Sequence, residues 1–304
     1  MAKLPFEYEH MAVGEFGGTM PTSADFDSAR VVIFPIPFDR TTSYVPGTRT
    51  GPHEILVASS HMELWDEETQ TDVHSIGICT LPEIEFPFAT MEEVVAELRR
   101  VASEIVKRGK FPVFLGGEHS ITPPLVEAVA AQYRNLSVLQ IDAHADLRRD
   151  YMGTPHSHAC AMRRTLEFAK TTQVGIRSLS TEEAEDIPSL NTTIFYDYNM
   201  RQDADWMDRV VATLSENVYI TIDVDGFDPA IMPATGTPEP GGLSWYEGLA
   251  LLRKVIEQRN VVAWDIVELS PMGGNVAPNF LCAKLIYKML AYKFGAGVRR
   301  AAAR

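Results

Sequence analysis

Cysteine is scarce in this sequence: only three of the 304 residues are cysteines, and Cys79, Cys160 and Cys282 are widely separated. Because they form no CxxC pair, the sequence predicts neither a disulfide framework nor a metal site made of thiolates. Long apolar runs are also missing, and the first ten residues, MAKLPFEYEH, lack the apolar core of a signal peptide. Together these absences predict a protein that resides in the cytoplasm and has no membrane partner.

Positive charge is also in short supply. The chain has 27 Lys and Arg residues but 41 Asp and Glu residues, and its net charge is -14 at pH 7. This balance argues against nucleic acid as a partner and mildly favours small cationic molecules. The sequence contains no GxGxxG or P-loop pattern, so no nucleotide cofactor is predicted.

Strand and helix patterns alternate along most of the chain. Apolar residues at helical spacing predict helices over 91–110, 123–135 and 245–260. Apolar runs with β-branched residues predict buried strands over 111–117, 136–146, 171–178, 217–225 and 261–269. This alternation predicts an α/β fold with a mostly parallel sheet, and the absence of a linker favours a single domain over residues 1–304. We expect residues 1–90 to be an irregular portion packed on the same core.

Residues that commonly bind metals lie at or just beyond the ends of three of the predicted strands. The segments GGEHS, DAHAD and DVDGFD supply His119, then Asp142, His144 and Asp146, then Asp223, Asp225 and Asp228. Ligands bind outside the carboxyl ends of parallel strands, so these segments are expected to meet at one edge of the sheet. A lone DxD motif is usually a turn or a cap, but caps seldom need histidine, and three such strand ends favour a metal site.

The composition of this cluster indicates the kind of metal. Imidazoles and carboxylates without thiolates suit a hard or borderline cation such as Mn²⁺ better than structural zinc. Two histidines and four aspartates exceed what one ion needs, whereas two ions sharing carboxylates would use them all. The sequence therefore predicts a binuclear site.

Beyond these motifs, the chain resembles the ureohydrolase family, which includes arginases, agmatinases, guanidinobutyrases and formiminoglutamases. The resemblance runs through most of the chain and rests on PFDRTTSYVPGTRTGP, GGEHS, DAHADLR, SHACAMRR, VGIRS, DVDGFDPAIMPATGTPEPGGLSW and DIVELSP. The GTPEPGG segment, together with the order and spacing of the motifs, is most similar to agmatinases. The resemblance implies an arginase-like three-layer fold with two Mn²⁺ ions per subunit at the carboxyl edge of a parallel sheet.

The resemblance also implies roles for individual residues. The metal ligands would be His119, Asp142, His144, Asp146, Asp223 and Asp225, with Asp142 and Asp223 bridging the two ions. His158 matches the histidine that relays protons, although His156 competes for this role. Glu268 matches the glutamate that binds the guanidinium, and Thr237 a threonine that lines the substrate.

Two positions depart from the family pattern. Glu118 stands where the family commonly has aspartate before the ligand histidine, and Ala234 stands where relatives often have glycine. Neither change removes a predicted ligand. The first could move a hydrogen bond around the metal site, which can tune metal affinity.

The implied reaction explains why such a site would be needed. A guanidinium is a poor electrophile, so its hydrolysis requires a hydroxide at neutral pH, which two divalent cations supply by lowering the pKa of a shared water. Asp146 is expected to take the proton of this nucleophile and pass it to the leaving nitrogen. His158, whose ordinary pKa is about 6.5, is expected to exchange protons with solvent.

The substrate expected from the sequence is agmatine, which would give putrescine and urea. The segment that holds the amino-acid end of arginine in arginases is absent from LRRDYMGTPHS. Guanidinobutyrase, arginase or formiminoglutamase activity are the related alternatives. Unrelated alternatives are a phosphoesterase that uses Arg148 and Arg149, or a catalytically silent metalloprotein. The resemblance further implies a homo-oligomer, often a hexamer.

Overall fold

A computed structural model describes residues 6–18 and 24–302 of the chain. Within these ranges the strands are β1 (His10–Met11), β2 (Val31–Ile36), β3 (Trp65–Asp66), β4 (Thr71–Asp72), β5 (Ile78–Thr80), β6 (Glu83–Ile84), β7 (Phe111–Gly116), β8 (Leu136–Ile141), β9 (Lys170–Ile176), β10 (Thr192–Tyr196), β11 (Asn217–Asp223) and β12 (Asn260–Val267). The α-helices are α1 (Gly51–Ser59), α2 (Met91–Lys107), α3 (Thr122–Ala130), α4 (Ala161–Thr165), α5 (Thr181–Asp186), α6 (Asp197–Met200), α7 (Trp206–Thr213), α8 (Trp245–Gln258) and α9 (Ala277–Ala302). None of the described helices is long and apolar enough to cross a membrane.

Eight strands form one sheet in the order β10-β9-β8-β11-β12-β7-β2-β5, and every neighbouring pair is parallel. The five strands predicted from the sequence are β7, β8, β9, β11 and β12. The three predicted helices are α2, α3 and α8, of which α2 and α8 begin with capping boxes that satisfy their first amides. The expected α/β fold with a parallel sheet is confirmed.

Apolar side chains fill both faces of the sheet. Along β2, Val31 and Ile33 belong to one buried cluster and Val32 and Phe34 to the other. Helices α1, α7, α8 and α9 cover the first face, and α2, α3 and α4 cover the second. The molecule therefore has the three layers that the sequence predicts, within a single α/β domain.

The first ninety residues differ from the expected irregular portion. All six residues of β2 are buried, and the strand lies between β7 and β5 inside the main sheet. Its sequence, VVIFPI, contains Pro35, which argues against an interior strand because proline cannot donate to the ladder. Helix α1 from the same region packs against α9. The boundaries of the domain at residues 1 and 304 stay a prediction, because both lie outside the described residues.

A buried ion pair joins α9 to the short β3–β4 hairpin. Lys288 Nζ lies 2.9 Å from Asp66 Oδ2, and the two side chains are only 4% and 0% exposed. The same ammonium lies 2.7 Å from Glu67 Oε1. Removing one member of a buried pair is costly because the other charge stays desolvated.

Replacing this lysine should therefore destabilise the fold. We expect Lys288→Met to lower the free energy of unfolding by about 3–5 kcal/mol, because Asp66 would remain buried without its cation. Urea denaturation measures this change. The control is Lys254→Met, which removes a pair whose partner Asp208 is 64% exposed and should cost less than about 1 kcal/mol. Equal losses in the two variants would contradict the prediction.

Candidate metal centre

The residues of the candidate site lie at the ends of four neighbouring strands, at one edge of the sheet. In the order β8-β11-β12-β7, each of these strands ends immediately before or within a predicted site segment. Asp142 follows β8, Asp223 ends β11, and Glu268 follows β12. His119 opens a short 3-10 helix after β7. The predicted convergence of sequence-distant motifs is thus observed.

The first group of ligands surrounds one ring nitrogen of His119. Its Nδ1 lies 3.1 Å from Asp146 Oδ2, 3.2 Å from Asp142 Oδ2 and 3.6 Å from Asp223 Oδ2. His119, Asp142 and Asp223 are fully or almost fully buried, and their ligand atoms lie close enough together to hold one metal ion. Asp146 approaches the same ring nitrogen but is not part of the group of three whose ligand atoms meet these distances.

A second group shares Asp142 with the first. His144 Nδ1 lies 3.0 Å from Asp225 Oδ2 and 3.7 Å from Asp142 Oδ1. These three residues also meet the distances needed for a metal ion. Because the two oxygens of Asp142 belong to different groups, this carboxylate is positioned to link two neighbouring ions.

Hydrogen bonds fix the orientation of these carboxylates. The amide of His144 donates to Asp142 Oδ1 at 2.6 Å, and the amide of Ala143 donates to Asp225 Oδ1 at 3.0 Å. The amide of Asp225 in turn donates to Asp223 Oδ1 at 2.9 Å. Such contacts preorganise ligands, because little side-chain freedom remains to be lost when an ion binds.

The electrostatics of the cluster favour a cation. Burial, with repulsion from Asp225 and Asp142, raises the pKa of Asp223 well above its usual range. Burial and the charge of Asp142 raise the pKa of Asp146 to about 6. A divalent cation would oppose both effects, because it stabilises the ionised carboxylates.

Burial opposes the charged form of both candidate ligand histidines, but the neighbouring carboxylates raise the pKa of each. For His144, burial is outweighed by Asp225 and Asp142, which raise its pKa to about 12. An imidazole must lose this proton to bind a metal, so we expect ion binding to release protons. His119 Nδ1 is buried and has no hydrogen-bond partner. An orphaned ring nitrogen among carboxylate oxygens, with no thiolate nearby, fits a borderline cation such as Mn²⁺.

The other nitrogen of His119 is held by a buried hydrogen-bond chain. His119 Nε2 lies 2.9 Å from Thr221 Oγ1, whose hydroxyl donates to Asp265 Oδ1 at 2.6 Å. Since this hydroxyl has only one proton, Thr221 must accept from Nε2–H. The chain therefore holds a proton on Nε2, so that loss of the Nδ1 proton would leave a lone pair facing the carboxylates.

Two site residues have unusual backbone angles. Asp146 has φ of 52° and Glu268 has φ of 67°, in the left-handed region that non-glycine residues seldom adopt. Such strain persists only where the surrounding structure enforces it, and it is concentrated at functional sites. Both residues are among those predicted from the sequence.

Glu268 and Thr237 lie beside the two groups. Glu268 Oε1 accepts the amide of His119 at 2.7 Å, and burial together with the charge of Glu118 raises the pKa of Glu268 well above its usual range. Thr237 Oγ1 lies 3.4 Å from Asp225 Oδ2. Both residues therefore lie next to the two candidate ligand groups.

The two candidate proton-relay histidines lie in different surroundings. Burial, with the nearby charges of His119 and His144, lowers the pKa of His158 to about 4. His156 instead lines a separate cavity with Val95 and Pro124. The geometry therefore favours His158 over its competitor.

Other residues singled out from the sequence fall outside the site. Asp228 Oδ1 accepts the amide of Ala230 at 2.8 Å in a local turn, and Asp228 belongs to neither ligand group. Arg149 pairs with Asp186 at 2.8 Å and is largely exposed. Arg148 stacks on Tyr151. The Tyr151 ring in turn packs edge-on against the ring of His158. Of the two arginines, Arg149 is already paired with an acidic side chain, contrary to the role required for a phosphoesterase.

Sequence reasoning missed two contributors to the site. Thr41 donates to Glu118 and lies beside His158, and Glu239 Oε1 lies 3.9 Å from His144 Nε2. Both stand in quoted motifs, PFDRTTSYVPGTRTGP and GTPEPGG, but nothing in their spacing marks either side chain. Ala234, the second departure from the family pattern, is buried, and its carbonyl accepts the amide of Ser270 at 2.9 Å.

Comparison with known proteins gives consistent matches over nearly the whole chain. The family model described as "Arginase family" matches residues 29–291. An N(1)-aminopropylagmatine ureohydrolase of Synechocystis sp. is 40% identical over 275 residues, which are 88% of this chain and 90% of the relative. An agmatinase of Pyrococcus horikoshii is 34% identical over 90% of this chain and 95% of its own. The crystal structure of agmatine ureohydrolase of Thermoplasma volcanium superposes with a TM-score of 0.84, at 32% identity, over 94% of this chain and 97% of that one.

Removal of divalent cations should destabilise the protein. Ions that bind only the folded state stabilise it by about 2.7 kcal/mol when the free ion is at one hundred times its Kd. We therefore expect EDTA to lower the thermal midpoint and Mn²⁺ to restore it, as measured by differential scanning fluorimetry.

Two aspartate variants make the test specific to the site. Asp142→Asn should abolish the response to Mn²⁺, because both ligand groups share this residue. The matched control, Asp228→Asn, should keep the full response. A midpoint that is unaffected by EDTA in the wild-type protein would rule out a stabilising metal centre.

Proposed function

Because this chain belongs to the arginase family, we propose that it hydrolyses the guanidino group of agmatine or of a close derivative of agmatine, releasing urea and an amine. The resemblance to ureohydrolases described from the sequence is confirmed at the level of the family, and the chain is a hydrolase of that family. The observation that carries the proposal is the pair of histidine–aspartate groups that share Asp142.

The cofactor in this proposal is a pair of Mn²⁺ ions. One ion would be held by His119, Asp142, Asp146 and Asp223, and the other by Asp142, His144, Asp223 and Asp225. When bound, the ions lower the pKa of a shared water and so supply a nucleophile at neutral pH. The shared carboxylate and the orphaned nitrogen of His119 support this arrangement.

Glu268 would bind and orient the guanidinium. Its Oε1 already accepts the amide of His119, whereas its Oε2 accepts no hydrogen bond from the described residues. A carboxylate with one oxygen held by the backbone and the other available can bind a guanidinium in a fixed direction. Thr237, at the edge of the second group, would line the substrate.

Asp146 and His158 would move the protons. Asp146 is buried, and its Oδ2 lies 3.1 Å from His119 Nδ1 within the candidate ligand groups, so its carboxylate would lie beside the nucleophile that the ions supply. It would take the proton from the nucleophile and deliver it to the leaving nitrogen, since an amine does not depart as an anion. His158, at the less buried side of the site, would exchange protons with solvent.

The charge of the site supports a cationic substrate. Four aspartates and Glu268 surround the ligand groups, and Glu239 adds a further carboxylate 3.9 Å from His144. A substrate with an ammonium at its far end would meet no electrostatic penalty there. A phosphate ester would be repelled by these carboxylates. Arg149 would not offset the repulsion, because it is already paired with Asp186.

A longer guanidine is the second candidate substrate. The relative from Synechocystis that is named N(1)-aminopropylagmatine ureohydrolase is 40% identical to this chain, compared with 34% for the agmatinase from Pyrococcus horikoshii. An aminopropyl extension adds one more cationic nitrogen, which an acidic cleft would favour. Both candidates lack the carboxylate of arginine.

The remaining parts of the proposal concern the state of the protein. We expect a homo-oligomer, in particular a hexamer, and a cytoplasmic location. The three free cysteines agree with a reducing compartment.

A substrate panel tests the proposal directly. With Mn²⁺-loaded protein, we expect kcat/KM for agmatine and for N1-aminopropylagmatine to exceed that for arginine or 4-guanidinobutyrate by at least about 100-fold, because an unpaired carboxylate would be desolvated in an acidic cleft. Urea release is the measurement. Arginine as the best substrate would refute the agmatine assignment, and a wild-type protein that releases no urea from any of these compounds would refute the proposed function.

Variants of Asp146 and Glu268 separate proton transfer from substrate binding. We expect Asp146→Asn to lower kcat by at least about 100-fold, a typical contribution of general acid–base catalysis, and His158→Ala to lower it less. Glu268→Gln should reduce kcat/KM by about 10- to 100-fold, because a hydrogen bond to a charged group contributes about 1.5–3 kcal/mol. The metal content of each variant is the necessary control. Near-wild-type turnover by fully loaded Asp146→Asn would remove its assigned role.

A further inference from the structure

Glu118, the residue that departs from the family pattern, is buried and accepts three hydrogen bonds. The amide and the hydroxyl of Thr41 donate to its two oxygens at 2.6 Å and 2.7 Å, and the hydroxyl of Ser120 donates as well. Glu118 is 0% exposed. The carboxylate is thus directed at Thr41, away from the metal ligand His119 that follows it in sequence.

Thr41, which is held by Glu118, in turn contacts His158. The amide of His158 donates to Thr41 Oγ1 at 3.0 Å, and Thr41 Oγ1 lies 3.3 Å from His158 Nδ1. The single hydroxyl proton of Thr41 is already donated to Glu118, so its oxygen has only lone pairs to offer the imidazole. An acceptor beside Nδ1 stabilises the ring form in which Nδ1 carries the proton.

The other neighbours of the ring are compatible with this form. Ser157 Oγ also lies 3.3 Å from His158 Nδ1, and a serine hydroxyl can accept as well as donate. Ser43 Oγ lies 3.4 Å from Nε2 and can donate to its lone pair. Among the described hydroxyls around the ring, only that of Thr41 already donates its proton to another group, the Glu118 carboxylate. Thr41 can therefore only accept from the ring, and this favours the tautomer with the proton on Nδ1.

We propose that Glu118 and Thr41 are positioning residues that act through hydrogen bonds to hold His158 with Nδ1 protonated and Nε2 free to accept a proton at the mouth of the site. The inference rests on the proposed function in so far as it assigns His158 a proton-relay role. The extra methylene of glutamate relative to aspartate supplies the reach to Thr41. Neither positioning residue needs to touch the substrate.

Neutron diffraction from deuterated crystals tests the tautomer independently of activity. In the wild-type protein we expect a deuteron on His158 Nδ1 and none on Nε2. In Thr41→Val, which removes the acceptor while keeping the shape, we expect the deuteron to move to Nε2 or the ring to rotate. A deuteron on Nε2 of the wild-type ring, or an unchanged ring in Thr41→Val, would overturn the proposal even if the protein releases urea.

Kinetics then connect the tautomer to turnover. We expect Thr41→Val to lower kcat about 10-fold with little change in KM, which is the lower end of the cost of losing an outer hydrogen bond. Thr41→Ser, which keeps the hydroxyl, should restore most of the activity. In the His158→Ala background, Thr41→Val should have no further effect, since both changes remove the same function. Additive losses would indicate a structural role and overturn the proposal.

Variants of Thr42 and Glu118 provide a control and an intermediate case. Thr42→Val is the matched control, because Thr42 is a half-buried neighbour with no hydroxyl hydrogen bond among the described residues. It should leave kcat and the His158 tautomer unchanged. Glu118→Asp should shorten the reach to Thr41 and give a kcat between those of the wild-type protein and Thr41→Val. If no urea is released by the wild-type protein, the proposed function fails, but the neutron experiment still decides the tautomer.

Discussion

The crowding of carboxylates at the carboxyl edge of the sheet is the constraint on which the rest of the site depends. Four aspartates and two histidines meet there with little solvent, and their mutual repulsion would oppose folding if no positive charge were present. The parallel sheet makes this crowding possible, because four neighbouring strands end at the same level. Backbone amides donate hydrogen bonds to Asp142, Asp223 and Asp225 and so fix the orientation of these three carboxylates. The candidate site is therefore preorganised to bind a cation.

The central half of the fold could be predicted from the sequence because its strands are regular apolar runs separated by amphipathic helices. The meeting of the candidate ligand residues at one edge could be predicted for the same reason, since each lies at or beyond the end of such a run. Strand β2 was missed because Pro35 and burial on both faces remove the alternation that identifies a strand. The contributions of Thr41 and Glu239 could not be predicted, because they depend on how loops fold back over the edge of the sheet and leave no periodic signal.

Two residues of the candidate site have strained backbone angles, and neighbouring backbone packs closely beside one of them. Asp146 and Glu268 adopt left-handed backbone angles; Glu268 directly follows β12, and Asp146 lies in the loop after β8. Neighbouring backbone also approaches closely beside Glu268: a Cβ on Gly117 would lie 2.0 Å from the carbonyl oxygen of Phe38, so only glycine fits there. The same approach lets the amide of Glu268 donate to the carbonyl of Gly117 at 2.7 Å. The N-terminal loop, β7 and the end of β12 are thereby fixed to one another.

The residues of the candidate site are far apart along the chain, so the site can form only late in synthesis of the protein. The side chains that meet around the two ligand groups come from segments as far apart as His119 and Glu268, and β12 must take its place between β11 and β7 before the enclosure is complete. A nascent chain on the ribosome has no such enclosure until nearly all of its residues have emerged, since long-range parallel pairing forms late. If the protein holds the proposed ions, they would bind only after the sheet has assembled, to a domain that is already almost complete.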